Sequence, residues 1–214
     1  MKKKIVFIVS HGGSVIFEIL KNKKLNFYEY LFISDRKCKA IDHAKKNSYK
    51  FKILESKNGH EFSKKLDNYF KNSKIEFYFL FYDKILTSVF FYKRRKIILN
   101  YHPSVLPSNP GSNGFEDSIK DNKSHIGFTV HFINKDVDKG KILLQMIFKN
   151  IPKYSLKYKR HKIFVGMCKS LIQILIWLKD GRIKNFLLEN NKNNRSNFNP
   201  NLEHLLSKNF KIIK

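Results

Sequence analysis

Two short clusters carry most of the chemistry that this sequence offers. The first is Asn100-Tyr101-His102-Pro103, where an apolar run gives way to a loop holding three of the chain's five prolines. Residues two apart on an extended backbone face the same side, so an Asn amide and a His ring at these positions can act on one group. When an acyl carbonyl becomes tetrahedral its oxygen gains negative charge, and the Asn100 amide with a protonated His102 can donate to it. The second cluster is the acidic, turn-forming stretch from His131 to Gly140, between two apolar extended segments. A carboxylate at Asp138 can accept a hydrogen bond from His102 and raise its pKa, or hold a water through which protons leave an attacking amine. Each cluster also fits a structural role. Asn100 and His102 can simply brace a proline-rich turn, and Asp138 can be an ordinary turn aspartate before a glycine. Their spacing alone does not choose between the two.

The elements that must position these residues read as an alternation of strands and helices. Lys4 to Val9 is a continuous apolar run that ends in Ser10-His11-Gly12-Gly13-Ser14, after which Val15, Ile16, Ile19 and Leu20 recur at helical spacing. Strands are predicted over Tyr30–Ile33, Phe51–Leu54, Ile75–Phe81 and Lys96–Asn100, with helices over Lys37–Lys46, Glu61–Phe70 and Ile85–Tyr92. Such an alternation predicts an α/β fold with a doubly wound, Rossmann-like, mostly parallel sheet covered by helices on both faces. Ligands in sheets of that kind bind beyond the carboxyl ends of the strands, which is where Asn100 and His102 fall. Beyond the proline-rich loop come a short helix over Phe115–Lys120 and extended segments over Ile126–Ile133 and Lys141–Phe148. A long core helix then carries Phe164, Cys168, Leu171, Leu175 and Leu178 and stops at Asp180-Gly181.

Composition bounds the rest. The chain has 214 residues and 42% apolar content, enough for one domain with a true core. The expected division is a domain over residues 1–188 and a loosely ordered basic tail over 189–214, with one turn of helix at Leu202 to Leu206. No apolar run is read as long enough to span a bilayer. The start Met1-Lys2-Lys3-Lys4 passes too quickly into Ile5–Val9 to be a signal peptide, so a cytoplasmic protein without a membrane partner is expected. Cys38 and Cys168 are far apart and form no metal-ligand pair; no metal is expected. The net charge of +26 would attract nucleic acid, but the lysines are spread over nearly every segment and the tightest cluster is Lys93-Arg94-Arg95-Lys96. An AT-rich coding sequence accounts for that texture at least as well as an RNA partner.

Taken together, the clusters bear a specific resemblance. Asn-x-His-Pro-Ser-x-Leu-Pro-x-x-Pro-Gly over Asn100–Gly111, Thr-Val-His-Phe over Thr129–Phe132 and Val-Asp-x-Gly-x-Ile-x-x-Gln over Val137–Gln145 are similar to the phosphoribosylglycinamide formyltransferase family. The likeness extends to Gly13-Ser14 near the start and to Trp177 and Asp180–Lys184 near the end. It implies that Asn100, His102 and Asp138 are the catalytic trio, and that a formyl group passes from 10-formyltetrahydrofolate to a primary amine by direct attack. It further implies that the backbone of Gly12, Gly13 and Ser14 holds the substrate phosphate, that Lys84, Ile85 and Leu86 line the folate pocket, and that the loop carrying Asn134 and Val137 reads the pterin edge.

Four positions depart from the family's pattern, all on the amine side. Val15 stands where an Asn is usual, Asn113 and Phe115 replace two histidines, and Met167 replaces a glutamate that contacts the ribose. The match over Thr129–Phe132 nevertheless makes the resemblance point first to glycinamide ribonucleotide as the amine. An amino sugar carried on a nucleotide is the alternative, and a non-enzymatic basic RNA-binding module is a third reading that leaves the trio without use. A methionyl-tRNA formyltransferase and a formyltetrahydrofolate deformylase are set aside, since each needs a further domain for which this chain has no expected room.

Overall fold

The computed structural model describes residues 2–183. The expected boundary at residue 188, the tail over 189–214 and the turn at Leu202 to Leu206 lie outside the described residues.

Seven strands form one sheet in the order β3-β2-β1-β4-β5-β6-β7. They are β1 (Lys3–Val9), β2 (Tyr28–Ser34), β3 (Lys50–Ile53), β4 (Phe77–Phe81), β5 (Ile98–His102), β6 (His125–Phe132) and β7 (Ile142–Lys149). The first five pair in parallel, whereas β6 and β7 are antiparallel additions at one edge. The helices are α1 (Ser14–Leu20), α2 (Lys39–Lys46), α3 (Gly59–Tyr69), α4 (Ser88–Phe91), α5 (Gly114–Lys120) and α6 (Leu156–Lys179).

The side-chain alternation of β1 shows why the helices lie on both faces. Ile5, Phe7 and Val9 point into a core shared with α1, α2 and α6, while Val6 and Ile8 point into a second core with Phe62 and Leu66 of α3 and Phe90 of α4. All five side chains are fully buried, which is what a parallel strand sandwiched between helix layers requires. The doubly wound, mostly parallel expectation therefore holds.

Two expectations need correction. The helix read over Ile85–Tyr92 shrinks to Ser88–Phe91. Tertiary contacts take the backbone that a longer helix would use: the Thr87 N–H donates to Ser63 Oγ of α3 at 2.9 Å, and the Ile85 carbonyl presses against Gly59. The second correction concerns apolar length. At 24 residues α6 is long and apolar enough to cross a bilayer by length and composition. Here it lies against α1 with Cys168, Leu171, Ile172, Ile174 and Leu175 buried in the larger core. It ends where expected, with Gly181 at a positive φ of 74°.

Candidate active site

The site is built on the antiparallel pairing of β5 with β6. Its register sets Asn100 opposite His131 and His102 opposite Thr129. Because side chains alternate along a strand, Asn100 and His102 share a face with His131 and Thr129. The Val130–His131 step carries a register irregularity against β7, a feature common beside active sites, where it re-aims a side chain.

Asp138 arrives from the loop after β6. Its own backbone is left-handed (φ 55°), a conformation that aspartate tolerates better than most residues. Four groups surround its carboxylate. The Gly111 N–H donates to Oδ2 at 2.7 Å, the Asn100 amide reaches Oδ1 at 3.4 Å, and His102 Nδ1 and His131 Nε2 each lie 3.4 Å from a carboxylate oxygen. Burial pushes the Asp138 carboxyl up, but His131, the Gly111 N–H and the charge of His102 outweigh it and leave the group below the usual carboxylate range. Asp138 is therefore an anion at neutral pH.

His102 is almost fully buried. Its Nε2 lies 2.9 Å from the Asn109 carbonyl, which can only accept, so Nε2 carries a proton and Nδ1 faces Asp138. The expected rise in its pKa is not seen. Burial, the largest influence, holds the imidazole below the ordinary histidine range, against the opposing pull of the Asn109 carbonyl and the Asp138 carboxylate. Desolvation outweighs pairing because the ring loses nearly all contact with water while the carboxylate stays 3.4 Å away. The resting ring is neutral near pH 7, suited to accept a proton at Nδ1 and pass it on.

The proline-rich loop is pinned from beneath. Thr129 Oγ1 donates to the Ser104 carbonyl and accepts the Leu106 N–H, and Gln145 Nε2 donates to the Leu106 carbonyl. Ser104 Oγ lies 2.8 Å from the Ser108 carbonyl and 2.9 Å from that of Asn109, the same oxygen that orients His102. Gly114 lets α5 approach this assembly closely, since a Cβ there would sit 2.9 Å from His102 Nε2.

A cavity of about 730 Å³ opens beside the trio. Its walls include Lys84, Ile85, Leu86, Asn100, His102, Asn134, Val137 and Asp138, so the structure gathers the catalytic and folate-side expectations in one place. Gly12, Gly13 and Ser14 do not line it. They follow β1, where Gly13 is left-handed (φ 63°) and α1, only seven residues long, begins. Lys84, on the cavity wall, is also tied down from behind. Its ammonium lies 2.5 Å from Oδ2 of the fully buried Asp35 side chain, an oxygen that also accepts from Tyr82 and Arg36. It is thus a counter-ion of Asp35 as well as a lining residue.

Sequence reasoning gave no role to His131, Thr129, Gln145, the Gly111 N–H or the Asn109 carbonyl. The signal for His131 and Thr129 was present as polar residues within an apolar strand opposite Asn100 and His102. The two backbone groups leave no trace in residue identity.

The Rossmann-like sheet brings an Asn-His-Asp cluster together beyond the end of β5, an arrangement suited to acyl transfer, and residues 3–164 match the formyl transferase family; the chain belongs to it. The phosphoribosylglycinamide formyltransferase of Haemophilus influenzae is 33% identical over 103 residues, covering 48% of this chain and 49% of that protein. The human trifunctional purine biosynthetic protein adenosine-3 is 45% identical over 62 residues, 29% of this chain and 6% of that protein. The matched segments thus span half or less of these relatives. Among solved structures, the phosphoribosylglycinamide formyltransferase from Coxiella burnetii superposes with a TM-score of 0.76 at 20% identity, covering 85% of this chain and 89% of that one. The enzyme of the same name from Campylobacter jejuni gives 0.68 at 26% identity, covering 81% and 98%.

Proposed function

We propose that this chain transfers a formyl group from 10-formyltetrahydrofolate to the primary amine of glycinamide ribonucleotide, a step of purine biosynthesis. The observation that carries the reading is the convergence of Asn100, His102 and His131 on the Asp138 carboxylate at the wall of one cavity. The names of the relatives support the choice of amine. The cavity is within the range of sites for molecules of folate size, and its apolar residues Ile85, Leu86, Phe91, Ile133 and Val137 suit a flat aromatic ring.

In this reading the amine attacks the formyl carbon directly. Asn100 Nδ2 donates to the oxygen as it gains charge, at first loosening its 3.4 Å contact with Asp138. The proton released by the nitrogen passes to His102 Nδ1 or through a water held by Asp138; as the carbonyl re-forms, the bond between the formyl carbon and N10 of the folate breaks, and that proton is delivered to N10 of the departing tetrahydrofolate. His131 donates from Nδ1 to the Phe132 carbonyl at 2.9 Å, which leaves Nε2 to accept from Asn100 at 3.2 Å and fix the amide's orientation. The folate is a co-substrate, and this reaction asks for no metal. The backbone N–H groups of Gly12, Gly13 and Ser14 are proposed to meet the phosphate of the amine. The site of action is proposed to be the cytoplasm.

The test is a panel assay with 10-formyltetrahydrofolate and a set of amines, with glycinamide ribonucleotide and nucleotide-linked amino sugars first. Formylation of glycinamide ribonucleotide well above the others is expected. Preference for an amino sugar would replace the substrate, and no transfer to any amine would sink the enzymatic reading.

A further inference from the structure

A second polar cluster stands at the carboxyl ends of β1, β2 and β4, next to the catalytic cavity. Strand order runs from β1 in two directions, to β2 and β3 on one side and to β4 onward on the other. Open α/β sheets take ligands in the crevice at such a switch point. In this chain a single carboxylate bridges that crevice. Asp83, just past β4, accepts the Ser10 hydroxyl on Oδ1 at 2.8 Å, while its Oδ2 takes Arg36 Nη2 at 2.5 Å and lies 3.3 Å from His11 Nε2. The Asp83 N–H returns a bond to Ser10 Oγ at 2.9 Å. Asp35 holds the other side of the guanidinium through Arg36 Nη1 at 3.1 Å.

The two aspartates play different parts. Asp35 has a fully buried side chain and is bound by Lys84 and Tyr82 as well, so it is a fixed anchor that keeps the Arg36 fork in place. Asp83 is about one-third exposed and also lines the catalytic cavity, so it has somewhere to turn. The backbone binds the loops together: the Ala40 N–H at the start of α2 donates to the His11 carbonyl at 2.8 Å, which brings the Arg36 and Gly12–Ser14 segments side by side. A guanidinium held on one edge and presenting the other fits a phosphate with two parallel N–H donors.

We propose that Asp83 is a tethered stand-in for the phosphate of the amine substrate: its carboxylate occupies the corner formed by Arg36 and His11, and an entering phosphate displaces it and takes both partners. The inference rests on the reading of a phosphorylated amine and deepens it by naming Arg36 and His11 as phosphate ligands and Asp83 as their built-in competitor. A competitor on the same chain acts at high effective concentration and therefore weakens phosphate binding.

The test titrates inorganic phosphate into the full chain by calorimetry at about 0.15 M ionic strength, where diffuse surface charge is largely screened. The unfolding midpoint serves as the control for folding. Arg36→Gln should weaken phosphate binding roughly tenfold and Arg36→Lys less, because Lys keeps charge without the fork. Asp83→Asn, which still accepts from Ser10, should tighten binding several-fold. If that variant does not fold, Asp83→Ser reads the same prediction. Unchanged or weaker phosphate binding in a folded Asp83 variant overturns the proposal, and so does the absence of a saturable site in every form. No formyl transfer is read, so failure to formylate glycinamide ribonucleotide leaves this result standing, and loss of the phosphate effect leaves the transfer assay standing.

Discussion

Two histidine–aspartate pairs of nearly equal separation behave as opposites. His102 and Asp138 stand 3.4 Å apart with side chains 3% and 8% exposed, while His11 and Asp83 stand 3.3 Å apart with side chains 76% and 35% exposed. In the first pair both the ring and the carboxylate are locked by further bonds, from the Asn109 carbonyl and the Gly111 N–H, and burial sets the protonation of the imidazole. In the second, water screens the contact, and an exposed pair of this kind contributes little to stability. The difference teaches that contact distance says little about setting: the buried pair is held on every side, whereas the exposed one has room to exchange partners.

The largest expected effect breaks the buried pair. Asp138→Asn should lower formyl transfer at least about a hundredfold with the unfolding midpoint retained, as expected for a positioned acid–base group. Near-normal turnover would remove Asp138 from the mechanism. Next comes Gly114→Ala, whose added methyl would meet His102 Nε2 at 2.9 Å and the Asn109 carbonyl at 3.1 Å. Displacing a catalytic ring by a fraction of an ångström should cost kcat roughly tenfold. An unchanged kcat would mean that the ring's position is not what limits the rate.

A smaller effect probes the exposed side. Met167→Glu, which supplies a carboxylate at a partly buried position against the larger core, should lower KM for glycinamide ribonucleotide roughly fivefold, less than a fully buried charged hydrogen bond would give. No change, or a rise in KM, would indicate that this amine does not lie along α6. The smallest effect is on stability. His102 has a folded pKa below its unfolded value of about 6.5, so the folded state resists a proton that the unfolded chain accepts. Its contribution is complete above that unfolded value and is lost as pH falls through the window down to the folded value. Urea unfolding followed between about pH 7.5 and 5.5 should show a shallower loss in His102→Gln than in the unsubstituted chain. Equal slopes would assign the loss to other groups.

Much of the catalytic half was legible because it depends on patterns that sequence carries. Apolar runs marked β1, β4, β5 and β6, and the two-residue spacing of Asn100 and His102 put both on one face of β5. The pKa of His102 was not legible, since it follows from how deeply loop and strand bury the ring. Nor was the fate of Lys84, whose partner Asp35 lies 49 residues away and meets it only because β2 and β4 flank β1. The helix over Ile85–Tyr92 failed for a related reason: α3 claims the backbone of Ile85 and Thr87 through contacts that no local window contains.

The position of β6 has a consequence for how the protein loosens. This strand is flanked on both sides, by β5 and β7, and nearly all of its residues are buried, whereas β3 is a four-residue edge strand with mostly exposed side chains. Opening of a native structure begins where few buried contacts must be broken. Amides of β6 should then exchange with deuterium only through near-global unfolding, while β3 and the neighbouring loop that carries Arg36 exchange through cheaper local fluctuations. Under mild denaturant the corner that holds Arg36 would loosen before Asn100, His102 and His131 come apart.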